Sequence, residues 1–167
     1  MSDINKLIIE PISQSHNRPG FKCGIEALDN YLKRQAGQDN KRNISRVYVA
    51  VQPDNPEKII GYYTLSSLSI ELNNLPENLI KKLPKHPIPA ALIGRLAVAK
   101  FAQRNGIGGI LLADAIKRTM AVSNEIAIYA MVVDAINARA MSFYKQYGFR
   151  PLCDKPLRLF LPLKSII

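Results

Sequence analysis

The chain has 167 residues, 47% of them hydrophobic and 22% charged, enough to bury one sizeable core, and it shows no repeat, low-complexity tract or long linker. Its 23 Lys and Arg against 13 Asp and Glu leave a formal net charge of +10, which favours phosphate-rich partners. No apolar run reaches the roughly eighteen residues needed to span a bilayer, and the start Met-Ser-Asp-Ile-Asn-Lys lacks the apolar core of a signal peptide. Two cysteines, Cys23 and Cys153, are too few for a disulfide framework and lie in no metal-binding spacing, so both are expected to be buried or spare thiols. A single domain over residues 1–167, cytoplasmic and without a metal, is the expectation.

Along the chain, 7–12 reads as a strand, and Gly24 introduces a helix whose Leu28, Tyr31 and Leu32 share one apolar face while its charges point outward. Arg46–Val51 and 59–70 are β-branched and aromatic-rich, and the Gln-Pro-Asp-Asn-Pro turn between them predicts a hairpin. The segment 72–89 holds Pro76, Pro84, Pro87 and Pro89, which predict a short helix and an irregular crossing. Ile88–Val98 reads as a central strand, 107–121 as a helix, 126–133 as a strand and 137–147 as a last helix. Strand, helix and strand in that order imply a right-handed crossover joining two parallel strands.

Two segments carry chemistry. The first is Arg95-Leu96-Ala97-Val98 followed by Gln103-Arg104-Asn105-Gly106-Ile107-Gly108-Gly109, a strand, a glycine-rich turn and a helix start. Gly106 and Gly108 are able to adopt positive φ and let a ligand approach the main chain, where the unpaired N–H groups of the helix favour an anion. The packing of Leu112, Ile116 and Met120 at i, i+4 and i+8 accounts for the helix alone, but not for glycines that weaken its start by about 1 kcal/mol each relative to alanine. Arg104 is placed to add a charge-assisted bond to a phosphate, or to stand in solvent. The second segment is Asn137-Ala-Arg-Ala-Met-Ser-Phe-Tyr144-Lys-Gln-Tyr-Gly148-Phe149, a short helix closed by glycine. Asn137, Ala140, Met141 and Tyr144 share a face of it. On residue pattern alone Tyr144 reads first as a core tyrosine that packs its ring and satisfies one hydroxyl.

Together the two segments resemble the GNAT family of acetyl-CoA-dependent N-acetyltransferases. Phe21-Lys-Cys-Gly24, Leu28-Asp-Asn-Tyr-Leu32, Arg46-Val-Tyr-Val-Ala50 and Ile60-Gly-Tyr-Tyr-Thr-Leu65 are further similar to the GNAT toxins of bacterial toxin–antitoxin pairs. The resemblance implies an α/β fold: a single GNAT-like domain, with a central mixed twisted sheet, helices on both faces and a parallel strand pair flanking the cofactor site. It implies that Gln103, Arg104, Asn105, Gly106, Ile107, Gly108 and Gly109 hold the pyrophosphate of acetyl-CoA. Main-chain donors at Leu96, Ala97 and Val98 would orient pantetheine and the acetyl carbonyl, with Asn137 on the later cofactor-contacting helix. It further implies Tyr144 as the general acid that protonates the departing thiolate. That role is chemically reasonable, because a thiol titrates near 8.5 and a phenol near 10.

No general base stands out. His16 and His86 fall in loop-like settings, His86 near the proline-rich loop reads first as a surface residue, and Glu71 is no stronger. An aminoacyl ester needs little help, since its amine should titrate below the roughly 7.7 to 8.0 of a chain terminus. Between Arg18 and Arg46 lie seven basic residues and three acidic ones, and Lys33, Arg34, Lys41, Arg42 and Arg46 are the candidate tRNA-binding set, set against a plainly solvated basic face. Lys81, Lys82 and Lys85 form a second cluster. The toxin resemblance implies acetylation of the α-amino group of aminoacyl-tRNA, a cognate ribbon-helix-helix antitoxin, a homodimer and no membrane partner. Two alternatives remain open at this point: a GNAT acting on a protein or small-molecule amine, and a noncatalytic acyl-CoA- or nucleic-acid-binding corepressor.

Overall fold

The computed structural model describes residues 6–152 and 155–166, so Cys153 lies outside the described residues. Its sheet has seven strands in the order β1-β2-β3-β4-β5-β7-β6: β1 Ile8–Pro11, β2 Arg46–Val51, β3 Gly61–Ile70, β4 Ile88–Val98, β5 Ala130–Asp134, β6 Arg150–Leu152 and β7 Lys155–Pro162. Residue contacts divide the chain into two compact units, one running up to Ser66 and taking in Arg95–Ala115, the other formed by Ser67–Gly94 and the chain from Ile116 onward.

In the first unit, β1 pairs antiparallel with β2, Ile8 opposite Val51, and β2 with β3, Arg46 opposite Leu65, which is the expected hairpin. Between β1 and β2 run α1 (Glu26–Arg34), the helix expected after Gly24, and a second short helix, α2 (Ala36–Lys41), that the sequence had not indicated. The break falls at Gln35, whose φ of −124° leaves the helical region. Glu26 and Asp29 in the first turn of α1 and Lys33 and Arg34 in its last both complement the helix dipole. The apolar face is the expected one: Leu28, Tyr31 and Leu32 are buried against Val47, Val49 and Tyr62 from the strands.

In the second unit, β4 and β5 are parallel from Ala90 opposite Ala130 to Ile93 opposite Val133, as the strand–helix–strand order required. The antiparallel β7 lies on the far side of β5, and β6 pairs with β7 through an irregularity at Pro151 and Leu152. Ile70, Leu75, Ile88, Ala90, Val132 and Phe160 form its core. The proline-rich segment holds a 3-10 turn, Leu72–Asn74, and the short α3, Glu77–Ile80, in line with expectation. The strand predicted over 126–133 begins instead at Ala130. The chain leaving the preceding helix is still turning there, with the N–H of Ile126 bonded to the carbonyl of Val122 at 2.9 Å and the Ile126 side chain 69% exposed. β6 and β7 have no counterpart in the sequence reading. No helix among the described residues is long and apolar enough to cross a membrane.

Gly61 sets how closely β4 and the helix after it approach β3. A Cβ there would lie 2.9 Å from the Ala97 carbonyl oxygen and 2.9 Å from Leu111 Cδ1. The leucine tip can swing away, but the carbonyl belongs to β4 and cannot move alone. Gly61→Ala is therefore expected to destabilise the protein by about 1 to 3 kcal/mol, read as a lower urea midpoint at unchanged slope.

Candidate active site

β4 ends at Val98, a 3-10 turn follows at Lys100–Ala102, and α4 (Ile107–Val122) begins four residues later. Two side-chain amides shape the intervening turn. Gln103 Nε2 donates to the carbonyls of Val98 (2.9 Å) and Cys23 (2.8 Å), and Asn105 Nδ2 donates to those of Ala102 and Gln103 (3.1 Å each). Each amide nitrogen has two hydrogens, and both are committed, so neither side chain has a donor left for a phosphate. What these residues offer an anion comes through the main chain. Arg104 (φ +67°) and Gly106 (φ +77°) take the left-handed conformation. Gly108, expected to do the same, is instead helical, because α4 has already started at Ile107. The Gly106 carbonyl accepts from the N–H of Ile110 at 3.2 Å, which leaves the N–H groups of Ile107, Gly108 and Gly109 without an intrahelical acceptor at the positive end of the helix. A Cβ on Gly106 would meet nothing within 4 Å, so this glycine serves its φ angle and the space beside it is open. Leu111, Leu112 and Ala115 bury the inner face of α4.

The second unit carries Tyr144 on α5 (Ala138–Gln146). Asn137 caps this helix: its side-chain oxygen accepts from the N–H of Ala140 at 2.9 Å. At the other end Gly148 (φ +94°) donates to the carbonyl of Lys145 (3.1 Å) and Phe149 donates to that of Tyr144 (3.4 Å), the pair of bonds that defines a Schellman cap. Such caps are usually closed by an apolar contact between these same two positions. Here that contact is Phe149 against Tyr144, ring centroids 5.8 Å apart and 62° between planes. The Gly-Phe pair in the sequence is thus the clamp on the tyrosine. Phe143 also meets the Tyr144 ring edge to face, with centroids 5.2 Å apart. Tyr144 is 3% exposed, and among the described residues none hydrogen-bonds its hydroxyl. Burial, with a smaller contribution from the negative charge of Asp134, holds its phenol well above the usual value. Asp134 itself is gripped by Arg158 through a forked pair, Nε to Oδ1 at 2.6 Å and Nη2 to Oδ2 at 3.0 Å. Neither was legible as part of the site, since the pair forms only when β5 and β7 align Asp134 with Arg158.

The remaining candidates divide clearly. Leu96 and Val98 are half-buried and Ala97 is buried in β4. His16, in a loop as the sequence suggested, is buried, and its Nδ1 accepts from the Ser13 N–H at 3.0 Å. His86 is exposed and lines a cavity of about 420 Å³ together with Glu71, Leu72 and Ile80, so the two weak base candidates share one opening. Lys33 and Arg34 are exposed at the end of α1 and Lys41 and Arg42 at the end of α2, whereas Arg46 is committed to its own loop, donating to the Asn40 carbonyl at 3.0 Å and to Asn43 Oδ1 at 2.6 Å. Cys23 is a buried free thiol pushed up to about 11, first by burial and then by its contact with Asp29, which makes it a poor nucleophile, as the sequence indicated. Among the described residues no group of three or more His, Cys, Asp and Glu side chains gathers as metal ligands do.

The turn at a helix start in the first unit and the clamped tyrosine in the second are each features an acyl-CoA-dependent transferase can use, and the Acetyltransferase (GNAT) family matches residues 28–149. The chain belongs to that family. It is 36% identical over 170 residues to a protein named "Probable toxin TacT" from Sinorhizobium fredii, covering 96% of this chain and 93% of the relative. A "tRNA-acetylating toxin" from Mycobacterium tuberculosis is 31% identical over 154 residues, with 92% and 90% covered. Among solved structures, AtaT complexed with acetyl-methionyl-tRNAfMet superposes with a TM-score of 0.90 at 33% identity, covering 96% of this chain and 97% of that one. A tyrosine-to-phenylalanine mutant of AtaT, bound to the C-terminus of the antitoxin AtaR and acetyl-CoA, superposes with a TM-score of 0.82 at 31% identity, with 96% of each chain covered.

The Schellman cap on α5 is open to direct test. An added Cβ at Gly148 would meet only Leu161 Cδ1 at 3.6 Å, an ordinary contact, so Gly148→Ala suffers from its φ angle and not from a clash. The expected loss is roughly 1 to 2 kcal/mol, visible as a lower unfolding temperature.

Proposed function

We propose that this protein transfers acetyl from acetyl-CoA to the α-amino group of aminoacyl-tRNA and thereby blocks translation. The observation that carries the chemistry is Tyr144: a buried, protonated phenol whose ring is fixed by a Schellman cap and whose hydroxyl no described residue engages. The likeness to tRNA-acetylating toxins along nearly the whole chain supports the acceptor. The excess of cations, with Lys33, Arg34, Lys41 and Arg42 exposed, supports a polyanionic partner.

In this reading the N–H groups of Ile107, Gly108 and Gly109, with those of the turn before them, hold the pyrophosphate of acetyl-CoA. Main-chain groups of Leu96, Ala97 and Val98 orient pantetheine and the acetyl carbonyl. The neutral amine attacks the carbonyl carbon, the new N–C bond forms as the C–S bond breaks, the sulfur leaves with the Tyr144 proton, and the ammonium proton passes to water. A raised pKa suits this role, because the phenol must still hold its proton when the thiolate departs. No side-chain base is required when the ester has already lowered the amine pKa. Asn137 acts by capping α5 and so placing Tyr144. We propose that residues 1–167 work as one acetyltransferase domain, since the family match draws on both compact units. The protein would act in the cytoplasm as a homodimer, restrained by a cognate antitoxin of ribbon-helix-helix type, as befits the toxin–antitoxin kinship of its relatives.

The deciding experiment follows labelled acetyl from acetyl-CoA into a total charged tRNA pool, with uncharged tRNA and Tyr144→Phe as controls. Label is expected on charged tRNA alone, with turnover in Tyr144→Phe lower by about 100-fold or more and acetyl-CoA affinity nearly unchanged. Acetyl-CoA binding without label on charged tRNA would transfer the assignment to a protein or small-molecule amine. The pH profile supplies an independent check. Because Tyr144 is held above the ordinary phenol value of about 10, its deprotonated fraction stays small through pH 9.5 and turnover should show no alkaline fall there; an alkaline limb below pH 9 would exclude Tyr144 as the acid.

A further inference from the structure

Arg95 stands in β4 one residue before Leu96–Val98, half-buried, with its guanidinium carbon 3.5 Å from the centroid of the Tyr31 ring on α1. That ring cannot drift. It stacks with Tyr62, centroids 6.5 Å apart and 15° between planes, and its hydroxyl donates to Asp39 Oδ2 at 2.8 Å. Tyr62 is anchored in turn by its own hydroxyl on the Leu28 carbonyl at 2.6 Å. Arginine is thus laid flat on a fixed plate while its in-plane N–H groups remain at the edge. Among the described residues no carboxylate pairs with Arg95 and no oxygen accepts from it. A half-buried, oriented guanidinium without a counter-ion is a fork suited to two oxygens of one anion.

The chemistry of the two substrates decides which anion. Every charged group of acetyl-CoA belongs to its nucleotide and pyrophosphate end, which the proposed function assigns to the turn beyond Val98. Arg95 lies about 10 Å back along β4 from Val98, on the side where the thioester would lie. An anion at Arg95 therefore comes with the acceptor. The exposed Lys33 and Arg34 lie in the last turn of the helix that carries Tyr31.

We propose that Arg95, oriented by Tyr31, binds the 5′-phosphate of the 3′-terminal nucleotide of the aminoacyl-tRNA acceptor. The assignment rests on the aminoacyl-tRNA reading above and names a specificity-determining residue for it. The test compares 3′-aminoacyl esters of adenosine and of adenosine 5′-phosphate, made with the amino acid found on the labelled tRNA. The readout is the ratio of their kcat/KM values. Wild-type protein is expected to favour the phosphate-bearing ester about tenfold or more. Arg95→Gln should bring the ratio close to one, and Arg95→Lys, which keeps the charge but loses the flat stack and the fork, should leave an intermediate ratio. The lysine variant also carries the test if the glutamine variant does not fold. A wild-type ratio near one, or an Arg95→Gln protein slowed equally on both esters with the ratio intact, would overturn the assignment. Labelling of charged tRNA by the wild-type protein is measured alongside: label present with an insensitive ratio removes Arg95 alone, whereas no label removes the acceptor and Arg95 with it.

Discussion

The bridge from Gln103 Nε2 to the carbonyls of Val98 and Cys23 governs the first unit. It joins the end of β4 to the loop that enters α1, eighty positions away in the sequence. Once the amide occupies both carbonyls, the chain from Gln103 onward must turn away from the sheet, and Arg104 and Gly106 take left-handed conformations to do so. The N–H groups at the start of α4 are then left without carbonyls of their own. An amide side chain is spent so that main-chain donors become available. The same bond ties the turn to the loop that enters α1, whose Tyr31 supports Arg95, so the proposed pyrophosphate and acceptor contacts share one anchored frame.

The second unit solves a different problem with equally local means. In its proposed role as general acid, Tyr144 must keep its proton, hold its direction and leave its hydroxyl uncommitted, and ordinary burial satisfies only the first of these. The Schellman cap supplies the second: Gly148 reverses the chain, Phe149 returns onto the ring of Tyr144, and Asn137 fixes the opposite end of the same nine-residue helix. Charge supplies part of the first as well. Asp134 disfavours a phenolate nearby, and Arg158 holds that carboxylate in place while tempering it.

The sequence disclosed elements whose signal is local and obscured those whose signal is relational. Ile88–Val98 was readable to the residue because an apolar run is bounded by prolines before it and a turn after it, and the hairpin of β2 and β3 was readable from its turn. Gly148 was legible as a cap because glycine past an apolar helical face has few other uses. Gly106 and Gly108 look alike in sequence, yet only the first is left-handed, since the choice depends on where α4 starts. Gln103 could be read as a ligand contact only because its two carbonyl partners were invisible. β7 escaped notice because Leu159, Phe160 and Leu161 are all buried, which removes the alternation that marks a half-exposed strand. The Tyr31–Arg95 stack has no sequence signature at all; each residue was visible, one as a core aromatic and the other as part of a strand.

Electrostatics connects these pieces to the choice of acceptor. A transferase for small amines would gain little from ten excess positive charges, because acetyl-CoA needs cations only at its phosphates and, in the proposed function, the turn meets those largely with main-chain dipoles. Arg46 is bound into its own loop, so the count of cations overstates what a polyanion can use. Arg95 differs from the exposed lysines in kind. They can move toward any phosphate and so favour nucleic acid without selecting a position on it, whereas a guanidinium stacked on an immobile ring presents its donors in one plane at one place. Long-range attraction by the mobile cations and registration by the fixed one are separable functions, and an enzyme whose acceptor amine lies at the end of a long polyanion needs both.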